Sequence, residues 1–139
     1  MEDSVFTKII KGEIPANKVY EDDKTLAFLT IGPLVDGHTL VVPKAQVDHF
    51  EDLSDEDYAA LFATVKKVAK RVQEVFNSKR AIVTIFGFEV PHAHVHVLPG
   101  NGENDFIEHA AARQALARAG NEPAPDFAKL AEIAKRLAF

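Results

Sequence analysis

The chain has 139 residues, of which 47% are hydrophobic and 27% are charged, with a formal net charge of −5 and no cysteine. This composition is typical of one globular domain that is large enough to bury a core, and the negative charge argues against nucleic acid or an anionic membrane as the main partner. The lack of cysteine excludes disulfides, zinc–thiolate sites and a cysteine nucleophile. Because we find neither a signal segment nor a membrane-spanning apolar run, we expect a cytoplasmic protein.

The first part of the chain predicts a short helix followed by three strands. Ser4 is placed to cap a helix that Gly12 and Pro15 end. Two strands around an acidic turn then predict a hairpin, and a third apolar strand stops at Pro43. The three predicted strands are Lys18–Tyr20, Thr25–Thr30 and His38–Val42.

The second part predicts a long helix, two more strands and a helical tail. Ser54 precedes an acidic first turn and a run of apolar residues at three- and four-residue steps, which is typical of an amphipathic helix. A strand is predicted over Ala81–Phe86, a second strand carries the histidines described below, and an alanine-rich helix over Phe106–Ala119 follows. A last amphipathic helix begins near Phe127. Together these elements predict an α+β domain.

Three of the six histidines fall in the stretch PHAHVHVLP, between Pro91 and Pro99. The alternation predicts a strand whose small apolar side chains face the core and whose imidazoles line the opposite face. The imidazoles are those of His92, His94 and His96.

Three interpretations of this histidine row are open from the residues alone. The first is a half-exposed strand with a polar face. The second is a metal site, which would need a further donor such as Glu89, His38 or His49. The third is nucleophilic catalysis, in which His94 attacks an electrophile while its neighbours orient it and bind charge.

Three motifs in the chain resemble the histidine triad (HIT) superfamily. The triad pattern, in which φ is an apolar residue, is His-φ-His-φ-His-φ-φ. The motifs are this triad at residues 92–98, FTKIIKGEIP at residues 6–15 with VYEDD at residues 19–23, and GHTLVVPK at residues 37–44. They stand in the family's order along the chain up to Leu98.

The resemblance implies a HIT-like fold with a five-stranded antiparallel sheet, one long helix and a short N-terminal helix. It divides the chain into a HIT domain over residues 1–103 and a C-terminal helical extension over residues 104–139, packed on the domain or on a dimer partner. It also implies a homodimer.

The resemblance further implies an enzyme that hydrolyses or transfers the nucleotide at the α-phosphorus of a nucleoside phosphoramidate or a related conjugate. The substrate would be a purine nucleotide or nucleotide conjugate, and the reaction would need no metal or other cofactor. By the family's pattern, His94 is the nucleophile and forms a nucleotidyl-histidine intermediate. His96 donates to a phosphoryl oxygen, and His92 orients its neighbour or assists the leaving group.

By resemblance, the pocket for the base is formed by apolar residues that are equally plausible as core residues. They are Phe6, Ile9, Ile14 and Phe28. Two expected polar contacts are altered, because Thr30 stands where the family commonly has an aspartate for the ribose and Gln46 stands where a histidine is usual.

The loop before the triad also departs from the family's pattern. Residues 86–90 read FGFEV and contain neither the asparagine nor the glutamine that many members use for phosphate and leaving-group contacts. These departures keep two alternatives open: a nucleotide-binding or regulatory HIT protein with little turnover, and a metal-binding protein that uses the triad.

Overall fold

The computed structural model describes residues 1–139 and contains five strands and four α-helices. The strands are β1 (Lys18–Glu21), β2 (Thr25–Leu29), β3 (Thr39–Pro43), β4 (Arg80–Thr84) and β5 (Val95–Gly100). The α-helices are α1 (Val5–Ile10), α2 (Asp55–Phe76), α3 (Asp105–Arg118) and α4 (Phe127–Leu137), with a short 3₁₀ helix at Phe50–Asp52.

The strands form one antiparallel sheet in the order β1-β2-β3-β5-β4. Strands β2 and β3 are buried at every position, as their apolar sequences TLAFL and TLVVP require of strands covered on both faces. This sheet with its long helix confirms the predicted α+β fold with a five-stranded antiparallel sheet.

One face of the sheet is covered by α2 and α4. Ser54 caps α2, since its hydroxyl oxygen accepts from the Asp57 amide at 3.1 Å. The apolar stripe of α2 packs into the main core together with one set of alternating strand residues, and α4 adds Leu130, Ile133 and Leu137 to the same core. The predicted core face of the long helix is therefore confirmed.

The other face of the sheet carries α1 and a smaller apolar cluster. Ser4 caps α1 as predicted, with its hydroxyl oxygen accepting from the Thr7 amide at 3.0 Å. The cluster contains Phe6, Ile9, Leu26, Phe28, Leu40 and Val42. This is also the face on which the imidazoles lie.

The C-terminal extension consists of two unlike helices. Helix α4 contributes buried residues to the core, whereas α3 has no buried residue. None of the helices combines the length and the apolar character that crossing a lipid bilayer requires.

The histidine strand differs from its prediction at its start. Strand β5 begins at Val95, so His92 and His94 precede it, and it ends at Gly100. The pairing with β3 ends at Val41–Val95 because β3 reaches Pro43, which has no N–H, and the Ala93 amide donates instead to the Val47 carbonyl at 2.7 Å.

Candidate active site

The triad lies where the loop before β5 meets α1. His92 is fully buried, His94 is 5% exposed and His96 is half-buried. The ring centroids of His94 and His96 are 5.3 Å apart, and the Phe6 ring lies edge-on to His92 at 5.8 Å and to His94 at 4.9 Å. Ala93, Val95 and Val97 belong to the main core, so the predicted division of the two faces is confirmed although the strand starts late.

The contact of His94 determines which of its nitrogens carries a proton. Its Nδ1 lies 2.8 Å from the carbonyl oxygen of His92. A carbonyl oxygen can only accept, so Nδ1 must donate a proton to it. In the neutral ring, Nε2 therefore carries the lone pair and is the nitrogen available to attack an electrophile.

His92 has both of its ring nitrogens engaged. Its Nε2 donates to the Pro43 carbonyl at 2.7 Å, so Nδ1 accepts from the Ser4 hydroxyl, also at 2.7 Å. The Ser4 hydroxyl in turn accepts from the Thr7 amide. Burial, joined by the charge of neighbouring His94, lowers the pKa of His92 despite the bond to Pro43. The ring of His92 is therefore held in place as a neutral imidazole, and the backbone carbonyl of the same residue orients His94.

His96 is oriented by the ring of His38, the residue immediately before β3. The Leu34 amide donates to His38 Nδ1 at 3.1 Å, so His38 Nε2 carries the proton and donates to His96 Nδ1 at 2.9 Å. The proton of His96 then lies on Nε2, which makes that nitrogen a hydrogen-bond donor. From the sequence, His38 was predicted only as a possible metal donor.

Burial also keeps these two rings uncharged. It lowers the pKa of His38 to about 3, with further contributions from His96 and Arg113, and that of His96 to about 4, with a contribution from His94. The site thus places the Nε2–H donor of neutral His96 beside His94, whose proton on Nδ1 is held by the His92 carbonyl.

The predicted base-pocket residues lie together beside the triad. Phe6, Ile9 and Phe28 are buried in the cluster under α1, and Ile14 packs against it, half-buried. Phe6 contacts Phe28 edge-on at 5.6 Å. The cluster is therefore a core in its own right that also borders the two buried imidazoles, and its contact with a base stays a prediction.

The two altered polar positions make local contacts. The Gln46 side-chain oxygen accepts from the Ser4 amide at 2.8 Å and from the Thr7 hydroxyl at 2.6 Å, and its amide nitrogen donates to the Glu2 carbonyl at 2.7 Å. Gln46 therefore fastens the N-terminal segment beside His92. Thr30 follows β2 and accepts from the Gly32 amide at 3.2 Å. Roles of either residue in substrate binding stay predictions.

Of the residues offered as additional metal donors, His38 contacts the triad through His96, whereas His49 and Glu89 are exposed. His49 is exposed, near Asp48 and Glu51 at 3.9 and 3.7 Å, and Glu89 is exposed in the loop before the triad. The structure contains no group of three or more histidine, aspartate or glutamate side chains that could hold a metal ion.

Sequence reasoning missed three contacts of the site. Ser4 was expected only as a helix cap, and nothing in the sequence indicates its contact with His92, which lies 88 residues further along the chain. His38 has a usable signal, because Leu40 pairs with His96 and a residue two positions earlier faces the same side of the sheet. Phe86 lies edge-on to His96 at 5.4 Å and stacks on Phe106 at 5.7 Å.

Comparison with known proteins gives a consistent result. The HIT domain family matches residues 11–103. A HIT-like protein of Methanocaldococcus jannaschii is 42% identical over 106 residues, which cover 71% of this chain and 82% of that protein. The adenosine 5′-monophosphoramidase of Schizosaccharomyces pombe is 40% identical over 100 residues, covering 71% and 75%.

The fold is also shared with solved structures. The crystal structure of a Hit-like protein from Bartonella henselae aligns with a TM-score of 0.77 at 31% identity, covering 97% of this chain and 94% of that one. The family match spans all five strands and the complete triad. This chain belongs to the HIT domain family.

Proposed function

We propose that this protein is a nucleotide hydrolase or transferase that acts at the α-phosphorus of a nucleoside phosphoramidate or a related conjugate. The observation that carries the proposal is the bond from His94 Nδ1 to the His92 carbonyl at 2.8 Å, which leaves Nε2 as the lone-pair nitrogen. Family membership supports the reaction type, and two yeast relatives are named adenosine 5′-monophosphoramidases.

In the proposed first step, His94 Nε2 forms a bond to the α-phosphorus as the bond from phosphorus to the leaving nitrogen breaks. The amine leaves with the bonding electron pair and takes a proton from solvent. Water then attacks the nucleotidyl-histidine, returns a proton to solvent and releases the nucleotide with a neutral His94. A neutral imidazole suits this task because anionic phosphoryl oxygens repel an anionic nucleophile.

The neighbouring histidines have separate tasks in this proposal. His96 uses its Nε2–H to stabilise negative charge on a phosphoryl oxygen, an electrostatic contribution made by a donor that His38 has already oriented. His92 acts through His94, because neither of its own ring nitrogens remains available. It is a positioning residue.

The test is the release of AMP from adenosine 5′-phosphoramidate, followed by chromatography. We expect wild-type protein to release AMP and His94→Ala to lose the activity by about 10³-fold or more. His109→Ala is the matched control, since His109 is exposed on α3 and should release AMP at the wild-type rate.

Two other results would contradict the proposal. AMP release by His94→Ala at the wild-type rate would remove His94 as the nucleophile. Tight nucleotide binding without release by the wild-type protein would instead favour the alternative of a nucleotide-binding HIT protein with little turnover, in which the altered Thr30, Gln46 and loop positions have cost the activity.

A further inference from the structure

Two stacked phenylalanine rings lie beside the triad and are here called the platform; one ring is exposed and the other is half-buried. Phe86, just after β4, stacks on Phe106 of α3 with ring centroids 5.7 Å apart and planes 19° apart. The edge of Phe86 also meets His96 at 5.4 Å. Thr84, the last residue of β4, pairs with His96, and the contact of the Phe86 ring with His96 places the platform on the face that carries the imidazoles.

The platform is left open to solvent. Phe86 is 51% exposed, although an aromatic ring of this size gains stability from burial. Its two aromatic neighbours, His96 and Phe106, leave half of its surface uncovered. Apolar surface that continues from a polar site is typical of a ligand contact.

The position of the platform relative to the sheet indicates which part of a substrate would contact it. The cluster with Phe6 and Phe28 lies over β2 and β3, and β5 separates it from the Phe86 side at β4. If the base of the nucleoside occupies the first side, as the family resemblance implies, then the group attached to the α-phosphate is left with the second.

The chemistry of the loop narrows the choice of that group. Residues 86–90 offer aromatic rings and the exposed carboxylate of Glu89, and no side-chain amide. A carboxylate disfavours an anionic group such as a second phosphate chain, whereas a ring can stack on Phe86 at the usual centroid distance of about 4.5–7 Å.

We infer that Phe86 and Phe106 are a stacking platform for the leaving group, and that the preferred substrates carry an aromatic amine on the α-phosphate. This inference rests on the proposed function for the reaction and adds the class of leaving group. The platform discriminates by shape and by ring electrostatics, so a saturated ring of the same size binds less well.

The test uses two adenosine 5′-phosphoramidates, one made with 2-phenylethylamine and one with 2-cyclohexylethylamine. We expect wild-type protein to favour the aromatic compound in kcat/KM, and Phe86→Leu to lower that ratio by about 2- to 12-fold. Intrinsic differences between the amines cancel when the ratios of the two proteins are compared. Phe106→Leu is a second variant with the same expected direction.

The matched control is Phe127→Leu, which removes an exposed phenylalanine from the start of α4, the helix on the opposite face of the sheet. This variant should keep the wild-type ratio. An equal ratio in wild type, Phe86→Leu and Phe106→Leu would overturn the platform. The platform is also overturned if Phe86→Leu changes the oligomeric state by light scattering and leaves the ratio unchanged, because the rings then serve contacts between copies.

Binding to His94→Ala separates this inference from the proposed function. Calorimetric titration of the two compounds into this variant needs no turnover, and we expect tighter binding of the aromatic compound and loss of that preference in His94→Ala/Phe86→Leu. If wild-type protein hydrolyses neither compound, the proposed reaction fails while this titration still decides the platform. Equal affinities for the two compounds in His94→Ala would overturn it.

Discussion

The buried histidines link the stability of the protein to pH. In an unfolded chain an imidazole takes up a proton as the pH falls through about 6.5, whereas the folded protein resists protonation of His96 down to a pKa of about 4 and of His38 down to about 3. The unfolded chain therefore binds more protons between about pH 6.5 and pH 4. The free energy of unfolding must fall as the pH drops through this window.

We predict a loss of about 1.4 kcal/mol per pH unit for each histidine held neutral, measured by urea denaturation from neutrality down to about pH 5. His38→Gln keeps an N–H donor for His96 and removes one titrating group, so its stability should fall less steeply with decreasing pH. A pH slope equal to that of the wild type in this variant would contradict the assignment of His38 as a neutral buried ring.

Ser4 and Ser54 offer a matched pair, because each caps a helix and only Ser4 also contacts the triad. Replacing either serine by alanine should cost about 1 kcal/mol of cap energy. Ser4→Ala should also leave His92 Nδ1 without its donor and lower kcat/KM by about 10- to 100-fold, whereas Ser54→Ala should keep the wild-type value. Equal kcat/KM values for Ser4→Ala and Ser54→Ala would contradict the assignment of Ser4 as a positioning residue.

At the residue scale, the sequence was sufficient for the identity of the triad and insufficient for its proton positions. The tautomers of His92, His94 and His96 depend on backbone and side-chain partners from other parts of the chain: Pro43, Ser4 and His38. Spacing along one strand does not encode such contacts. Gln46 is similar, since its attachment to the N-terminal segment depends on how the chain folds back.

At the level of elements, the two helices of the C-terminal extension should differ in their effect on stability. Leu137 of α4 is fully buried in the main core, and Leu116 of α3 is 41% exposed. We predict that Leu137→Ala lowers the free energy of unfolding by about 2–5 kcal/mol, whereas Leu116→Ala changes it by less than about 0.5 kcal/mol. Urea denaturation measures both, and equal losses would contradict the packing described for the extension.

The helices were predicted more accurately than the strand ends. Caps and apolar periodicity are local signals, and they located α1, α2 and α4 from Ser4, Ser54 and the residues that follow Asp126. A strand ends where its partner stops pairing. Strand β4 ends at Thr84 instead of Phe86, and β5 starts at Val95, because both depend on neighbours that no local pattern reveals.

For the molecule as a whole, the main hydrophobic core and the candidate active site lie on opposite faces of the sheet. Helices α2 and α4 bury the main core against one face, while the other face holds α1, the imidazoles, the cluster with Phe6 and Phe28, and the platform. The division into residues 1–103 and 104–139, the homodimer and the cytoplasmic location stay predictions at this scale. The family and the fold were predictable because the triad and two longer motifs lie in one order along the chain.

Central to the proposed mechanism is a covalent bond between His94 and phosphorus. The most direct measurement is the mass of the intact protein after rapid mixing with adenosine 5′-phosphoramidate. The reaction is quenched without acid, and peptide mapping then locates any adduct. We predict addition of one adenylyl group to the wild-type protein, located on His94, and none to His94→Ala. An adduct on a different residue, or AMP release by His94→Ala at the wild-type rate, would contradict the mechanism.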